Sequence, residues 1–202
     1  MIIVLTSEKP VLNEADQINL LFKAGLQILH LRKPTFTKDG YRSLLDQIET
    51  KYHNRIMTHQ FPELTHEYGL RGIHLQEQPR IDLEDALDIT IQVYKNKGFS
   101  VTSSFHSKSA IVACKADFEY VLLSPVFGSI SKVGYKGKGF DVNDLKHIVI
   151  GMGGINEATL QKTYDLGFKG VGVLGGVWNT EDPLDSFIKI KEANNKVIKD
   201  IN

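Results

Sequence analysis

Two pairs of adjacent glycines, Gly153-Gly154 in IVIGMGGI and Gly175-Gly176 in GVGVLGGV, each close a short apolar run. Glycine has no Cβ and tolerates positive φ, so successive backbone N–H groups at such a pair can face a single anion. A tight turn explains one pair equally well. Two pairs closing successive strands, with a helical segment between them, point instead to a phosphate cradle.

The other residues able to do chemistry also punctuate apolar runs. His30 and Arg32 end one run, Thr58 and His59 the next, then His74 and Gln76, then Ser104 and His106. Four of the seven histidines therefore sit at strand ends. Imidazoles there can titrate near neutral pH and move protons, although each taken alone is also explained as a structural histidine satisfied by hydrogen bonds. A zinc site is the alternative use of such a set, but no H-E-x-x-H spacing and no paired carboxylate supports it. Arg32, with its planar fork, and Lys132, a point charge, are the cations suited to a diphosphate. Lys33, Lys136 and Lys138 read as solvated surface. A Schiff-base role for Lys132 is disfavoured, because it lies beyond its strand in a glycine-rich stretch where desolvation is hard to arrange.

The elements that must hold these residues alternate along the chain. Apolar runs at 2–6, 26–32, 55–58, 72–75, 100–105, 120–125, 147–152 and 170–175 read as strands, with helical periods after most of them, including 83–95, 107–116, 156–167 and 182–199. Eight buried parallel strands in one compact chain predict an α/β fold, a single (β/α)8 TIM barrel over residues 1–202; an open doubly wound sheet is the alternative. In a barrel the reactive groups come from the C-terminal strand ends, and the loops after the seventh and eighth strands commonly hold phosphate. The segment 126–141 carries four glycines and three lysines with no period, which predicts a functional loop.

Composition bounds the partners. With 24 basic and 24 acidic side chains, no global field recruits nucleic acid or an anionic membrane. The single cysteine, Cys114, in SAIVACKA, reads as the packed side of a helix. The chain enters its first strand at Ile2 without a leader-like pattern and has no membrane-spanning run, so a cytoplasmic protein is expected, with a homo-oligomer left open.

The ordered series LHLRK, GIHLQEQ, SFHS, DFEYVLLSPVFGSISK, MGGI and GVGVLGGV resembles the thiamine phosphate synthase family, including its thiazole tautomerase branch. The segment S-P-V-F-x-S-x-S-K is similar to that family's G-P-[IV]-[FY]-x-T-x-T-K, with hydroxyls exchanged. The resemblance implies a thiamin-biosynthesis transferase that joins an aminopyrimidine diphosphate to a thiazole phosphate and releases pyrophosphate, with Mg²⁺ as cofactor. It also implies that Arg32 and Lys132 hold the diphosphate, that Ser104, Ser129 and Ser131 contact ligand, and that Gly153, Gly154, Gly175 and Gly176 cradle the thiazole phosphate.

The pattern departs from the family at defined positions. His30 stands for a Gln, Pro34 for a Lys, and Thr58-His59 for the Asn-Asp that serves the pyrimidine and magnesium; His74-Leu75-Gln76-Glu77-Gln78 lacks the family's Asp. Glu77 is the nearby carboxylate left as a metal candidate, and neutral His or Gln are poor magnesium ligands. The tautomerase branch needs neither diphosphate nor metal. It shifts a double bond by proton transfer, work suited to His30, His59, His74 and His106, but its catalytic His is replaced here by Pro125. A barrel that binds thiazole phosphate without turnover is the third expectation.

Overall fold

The computed structural model describes residues 1–128 and 137–201. Ser129, Ser131, Lys132 and Lys136 lie outside the described residues.

Eight parallel strands close into a barrel in strict chain order, each paired with its sequence neighbours and the eighth with the first. They are β1 (Ile2–Leu5), β2 (Ile28–Leu31), β3 (Ile56–Thr58), β4 (Gly72–Leu75), β5 (Ser100–Phe105), β6 (Val121–Leu123), β7 (Val149–Met152) and β8 (Gly170–Val173). The helices are α1 (Glu14–Lys23), α2 (Lys38–Leu45), α3 (Leu64–Glu67), α4 (Glu77–Asp82), α5 (Leu87–Asn96), α6 (Lys108–Ala113), α7 (Leu160–Asp165), α8 (Gly175–Trp178) and α9 (Pro183–Ile201). The expectation of an open sheet is thereby removed. No helix among the described residues is long and apolar enough to cross a membrane.

Strand side chains alternate between two environments, the packed interior of the barrel and the layer beneath the helices. Ile3, Leu5, Ile28, Met57, Tyr120, Leu122 and Ile150 make one apolar cluster, while Val4, Leu29, Leu31, Val171 and Val173 join the helical residues Ile18, Leu21, Tyr41 and Phe187 in another. Pairing His74 with Thr102 brings two polar side chains from neighbouring strands to one level, while His30 stands level with the apolar Leu5 and Met57. Barrel interiors are dominated by branched apolar residues, so His30 and His74, both almost wholly buried, are exceptions.

Several helical expectations shift at their ends. The period over 83–95 resolves into a tight turn at 84–86 and α5, and α4 precedes it as an element the sequence period did not indicate. The helix expected over 107–116 stops at Ala113, after Ser107 caps its start by accepting from Ala110 N–H at 3.2 Å. Cys114 is the residue that ends this helix, and it is only partly buried. Lys33, expected at the surface, is fully enclosed and pairs with Glu14 at 2.5 Å.

Candidate active site at the barrel mouth

A cavity of about 560 Å³ opens at the C-terminal ends of the strands. Arg32, His59, Gln76, Glu77, Ser104, His106, both glycine pairs, and Ser7, Glu8 and Lys9 from the end of β1 all line it. Every strand-end candidate except His30, Thr58 and His74 therefore reaches one space.

The glycine pairs are built differently from one another. Gly153 (φ 100°) and Gly154 (φ 68°) both occupy the left-handed region that other residues avoid. A Cβ on Gly154 would lie 2.3 Å from the Gly128 carbonyl oxygen, and one on Gly153 would lie 2.9 Å from Pro125 Cα. These glycines are thus required by the chain that follows β6, which packs over them and is tied down by Val126 N–H to Met152 O (2.9 Å) and Phe127 N–H to Gly153 O (3.0 Å). Gly175 and Gly176 do not simply close β8: they open α8, whose Trp178 indole N–H donates to Leu5 O at 2.6 Å. Among the described residues, the backbone N–H groups of Gly153, Gly154, Ile155, Gly175 and Gly176 meet no protein acceptor. All five residues line the cavity.

Across the cavity, Arg32 follows β2 and its guanidinium is paired with Glu8. The backbone of Arg32 is fixed reciprocally by Thr6, whose Oγ1 accepts from Arg32 N–H at 2.8 Å and donates to Arg32 O at 2.9 Å. The side chains at the end of β1 were not anticipated from the sequence. Their signal was available in Ser7-Glu8-Lys9 directly after the first apolar run.

The four histidines expected in one mouth divide into a clustered three, of which His30 and His74 are buried and His59 half-buried, and a rim one. His30 Nδ1 lies 2.9 Å from His59 Nε2, and the His59 and His74 rings stack at 4.2 Å. His30 Nε2 is 2.7 Å from the Tyr120 hydroxyl; His74 has Thr102 Oγ1 at 2.7 Å from Nδ1 and Ser104 Oγ at 2.6 Å from Nε2. Burial, with a smaller contribution from the Arg71 charge, lowers His30 to about 3. Burial and the neighbouring histidines also hold His59 and His74 well below the usual imidazole range, so all three rings are neutral at pH 7. His59 Nδ1 is buried without a partner. An unmatched lone pair there costs less than an unmatched N–H, which places the shared proton on His59 Nε2, donating to His30 Nδ1.

His106 stands apart at the rim. Its Nδ1 lies 3.0 Å from Ser124 O, a carbonyl that can only accept, so Nδ1 carries a proton, and Nε2 meets no protein partner among the described residues. Its backbone N–H donates to Glu77 Oε1 at 3.2 Å, and Lys138 Nζ donates to its carbonyl at 2.9 Å.

The donors do not suit the magnesium ion that the resemblance implies. Glu77 is occupied by the His106 N–H and by Arg80, whose guanidinium nitrogen is 3.8 Å away, while Glu8 is occupied by Arg32. Thr58 Oγ1 donates to Gln60 O at 2.5 Å. What remains is imidazole nitrogen, a weak ligand for a hard cation that prefers oxygen.

No protein-family model and no curated protein sequence matches the chain, but solved structures do. Thiamine phosphate pyrophosphorylase from Bacteroides thetaiotaomicron is 32% identical, with 96% of this chain and 97% of that chain covered and a TM-score of 0.76. Thiamine phosphate pyrophosphorylase from Pyrococcus furiosus is 16% identical over 98% of this chain and 96% of that one, also at a TM-score of 0.76. A 3-hexulose-6-phosphate synthase from Salmonella typhimurium, 16% identical over 98% of this chain and 100% of its own at a TM-score of 0.72, shares the fold. With a relative above 30% identity aligned along nearly its whole length, the chain belongs to the thiamine phosphate pyrophosphorylase family.

Proposed function

We propose that the protein binds a thiazole phosphate on its glycine turns and joins it to an aminopyrimidine diphosphate with loss of pyrophosphate. The observation that carries this reading is the pair of unlike anion positions in one cavity. One is an uncharged array of backbone N–H groups at Gly153, Gly154, Ile155, Gly175 and Gly176; the other is the cationic edge made by Arg32 and Lys9.

Each position suits a different anion. Backbone N–H groups hold a phosphate that only has to be bound, without adding a full charge beside the reacting ring. Arg32 and Lys9 can neutralise charge that develops on a departing diphosphate, and stabilisation at that position lowers the barrier. Glu8 keeps the Arg32 fork in place and is its partner until an anion competes for it. Holding both substrates in one enclosed space supplies the orientation that a two-substrate coupling needs. Lys132, outside the described residues, is proposed as a further cation for the leaving group. The family resemblance to a protein of that activity at 32% identity supports the same choice.

Incubation with aminopyrimidine diphosphate and thiazole phosphate is expected to release pyrophosphate and form the coupled product. Absence of turnover with magnesium, manganese and zinc each supplied would end this reading.

One observation favours a second reaction on the same ligand. His106 lines the cavity, with its Nδ1 held on Ser124 O and its Nε2 without a protein partner among the described residues. That arrangement suits a general base for moving a double bond in a thiazole carboxylate phosphate. Conversion that persists in a chelator and is lost in His106→Gln would establish this tautomerase reaction. Tight binding of thiazole phosphate without either conversion would identify a non-catalytic binder.

A further inference from the structure

We propose that His30, His59 and His74 form a site for a first-row transition metal of the zinc class, at the floor of the mouth cavity. One ring nitrogen from each lies within 4.8 Å of the others, and among the described residues this is the one cluster of metal-ligating side chains. The sequence spacing gave no hint of it, because the three residues come from β2, β4 and the residue after β3 and meet only when the barrel closes.

Three features separate this cluster from a merely packed trio. First, the outward nitrogens are already held: Tyr120 is on His30 Nε2 and Thr102 on His74 Nδ1, at 2.7 Å each. Metal-ligating imidazoles almost always have such a partner on the nitrogen away from the metal, where it fixes ring orientation. Those contacts leave His30 Nδ1 and His74 Nε2 pointing inward as the available ligand atoms. Second, His59 has a buried nitrogen with no partner at all, which is an unexplained cost inside a barrel. Third, three nitrogen ligands with one side open to a cavity is the arrangement of a catalytic zinc site, in which the fourth position takes water or substrate.

The rings are not yet in ligating geometry. His30 Nδ1 and His59 Nε2 are 2.9 Å apart and share a proton, whereas Zn–N bonds of about 2.1 Å in a tetrahedral site separate ligand nitrogens by roughly 3.4 Å. The His59 and His74 rings also lie nearly parallel, 28° from coplanar orientation, and cannot both aim at one ion as they stand. His59 is the ring that must turn. It lines the cavity, while His30 and His74 are enclosed by the strands. Rotation replaces its bond to His30 with the metal and moves the Ser104 hydroxyl off His74. With three neutral ligands the centre keeps its full dipositive charge, so its open position takes an anionic oxygen, either hydroxide or a phosphate oxygen of a ligand in the cavity. This inference does not depend on which reaction the protein performs.

The test reads metal directly, with no substrate present. The full chain, dialysed against zinc and passed through gel filtration, is expected to retain one zinc per chain in the presence of excess magnesium. Cobalt(II) alone is expected to give the intense visible absorption of a four-coordinate ion, a measurement that needs no variant and so cannot be confused with misfolding. His59→Gln should reduce bound metal to surface background. Tyr120→Phe, which removes only the outer hydroxyl, should weaken affinity about tenfold or more. Zinc content equal in the parent and His59→Gln, or a cobalt spectrum unchanged from that of the aqueous ion, would overturn the proposal. Failure here would leave the glycine cradle untouched, since thiazole phosphate binding is measured separately.

Discussion

Lys33 Nζ and Glu14 Oε2 are 2.5 Å apart, and the two side chains are 0% and 6% exposed. The lysine also donates to Lys9 O at 3.0 Å, so the pair braces the end of β1 where it turns into α1. Breaking one partner of such a pair leaves a buried charge, at a cost of about 3–5 kcal/mol. Lys33→Met, which leaves the Glu14 carboxylate unpaired near neutral pH, is expected to destabilise by that order in urea melts, Glu14→Gln by less, because burial already favours the neutral form there, and the double variant by less than the sum of the two.

Glu14 also makes stability depend on pH. Burial raises its carboxyl above the ordinary 4.5, outweighing the hydrogen bond and charge of Lys33 that act the other way. The folded state therefore keeps a proton that the unfolded chain has already released. Its contribution is full below the unfolded value and is lost as pH rises through the higher folded value. Urea melts across this acid range should show a downward slope that disappears in Glu14→Gln; an identical slope in both proteins would count against it.

Alanine at Gly154 must adopt φ near 68° and meet the Gly128 carbonyl, while alanine at Gly172 would make only ordinary contacts, at 3.5 Å to Met152 and 3.6 Å to Leu5. Gly154→Ala is expected to lower stability by about 1–3 kcal/mol and to abolish thiazole phosphate binding by calorimetry. Gly172→Ala should melt close to the parent protein. Equal melting of the two variants would contradict the steric account.

Arg32 should separate the two anion positions. Arg32→Ala is expected to raise KM for the aminopyrimidine diphosphate about tenfold or more, as expected for loss of a charged hydrogen bond, without changing thiazole phosphate affinity. Arg32→Lys should recover little, because lysine lacks the planar fork. If both ligands weaken together, Arg32 positions the mouth as a whole.

His106 distinguishes the reactions. His106→Gln is expected to reduce tautomerisation by about 10²-fold or more while leaving pyrophosphate release within a few-fold of the parent. The reverse outcome would assign His106 to the coupling reaction.

Much of this was legible from residue order alone. Period and punctuation locate all eight strands, since buried parallel strands must be apolar throughout and must stop where polar residues begin. The glycine turns, Arg32, Ser104, His59 and His106 could be assigned to one cavity on that basis. The interior faces were less legible. That His30 and His74 point into the barrel follows from strand register, and an alternating strand cannot reveal which of its faces is inward when both are apolar. Lys33 misled for a related reason: its partner Glu14 belongs to another element, so its burial is visible only once β1 and β2 stand side by side.

The bonds from Val126 to Met152 and from Phe127 to Gly153 have a consequence for how the site can change. They make the segment after β6 the roof of the glycine turn, so the two cannot move or mutate independently. Any ligand that prefers one setting of the turn must by the same amount prefer one setting of that roof, and the reverse holds equally. Phosphate recognition and the start of the lysine-rich segment are thus coupled at the level of the backbone, beyond the reach of a side-chain substitution that spares those two carbonyls.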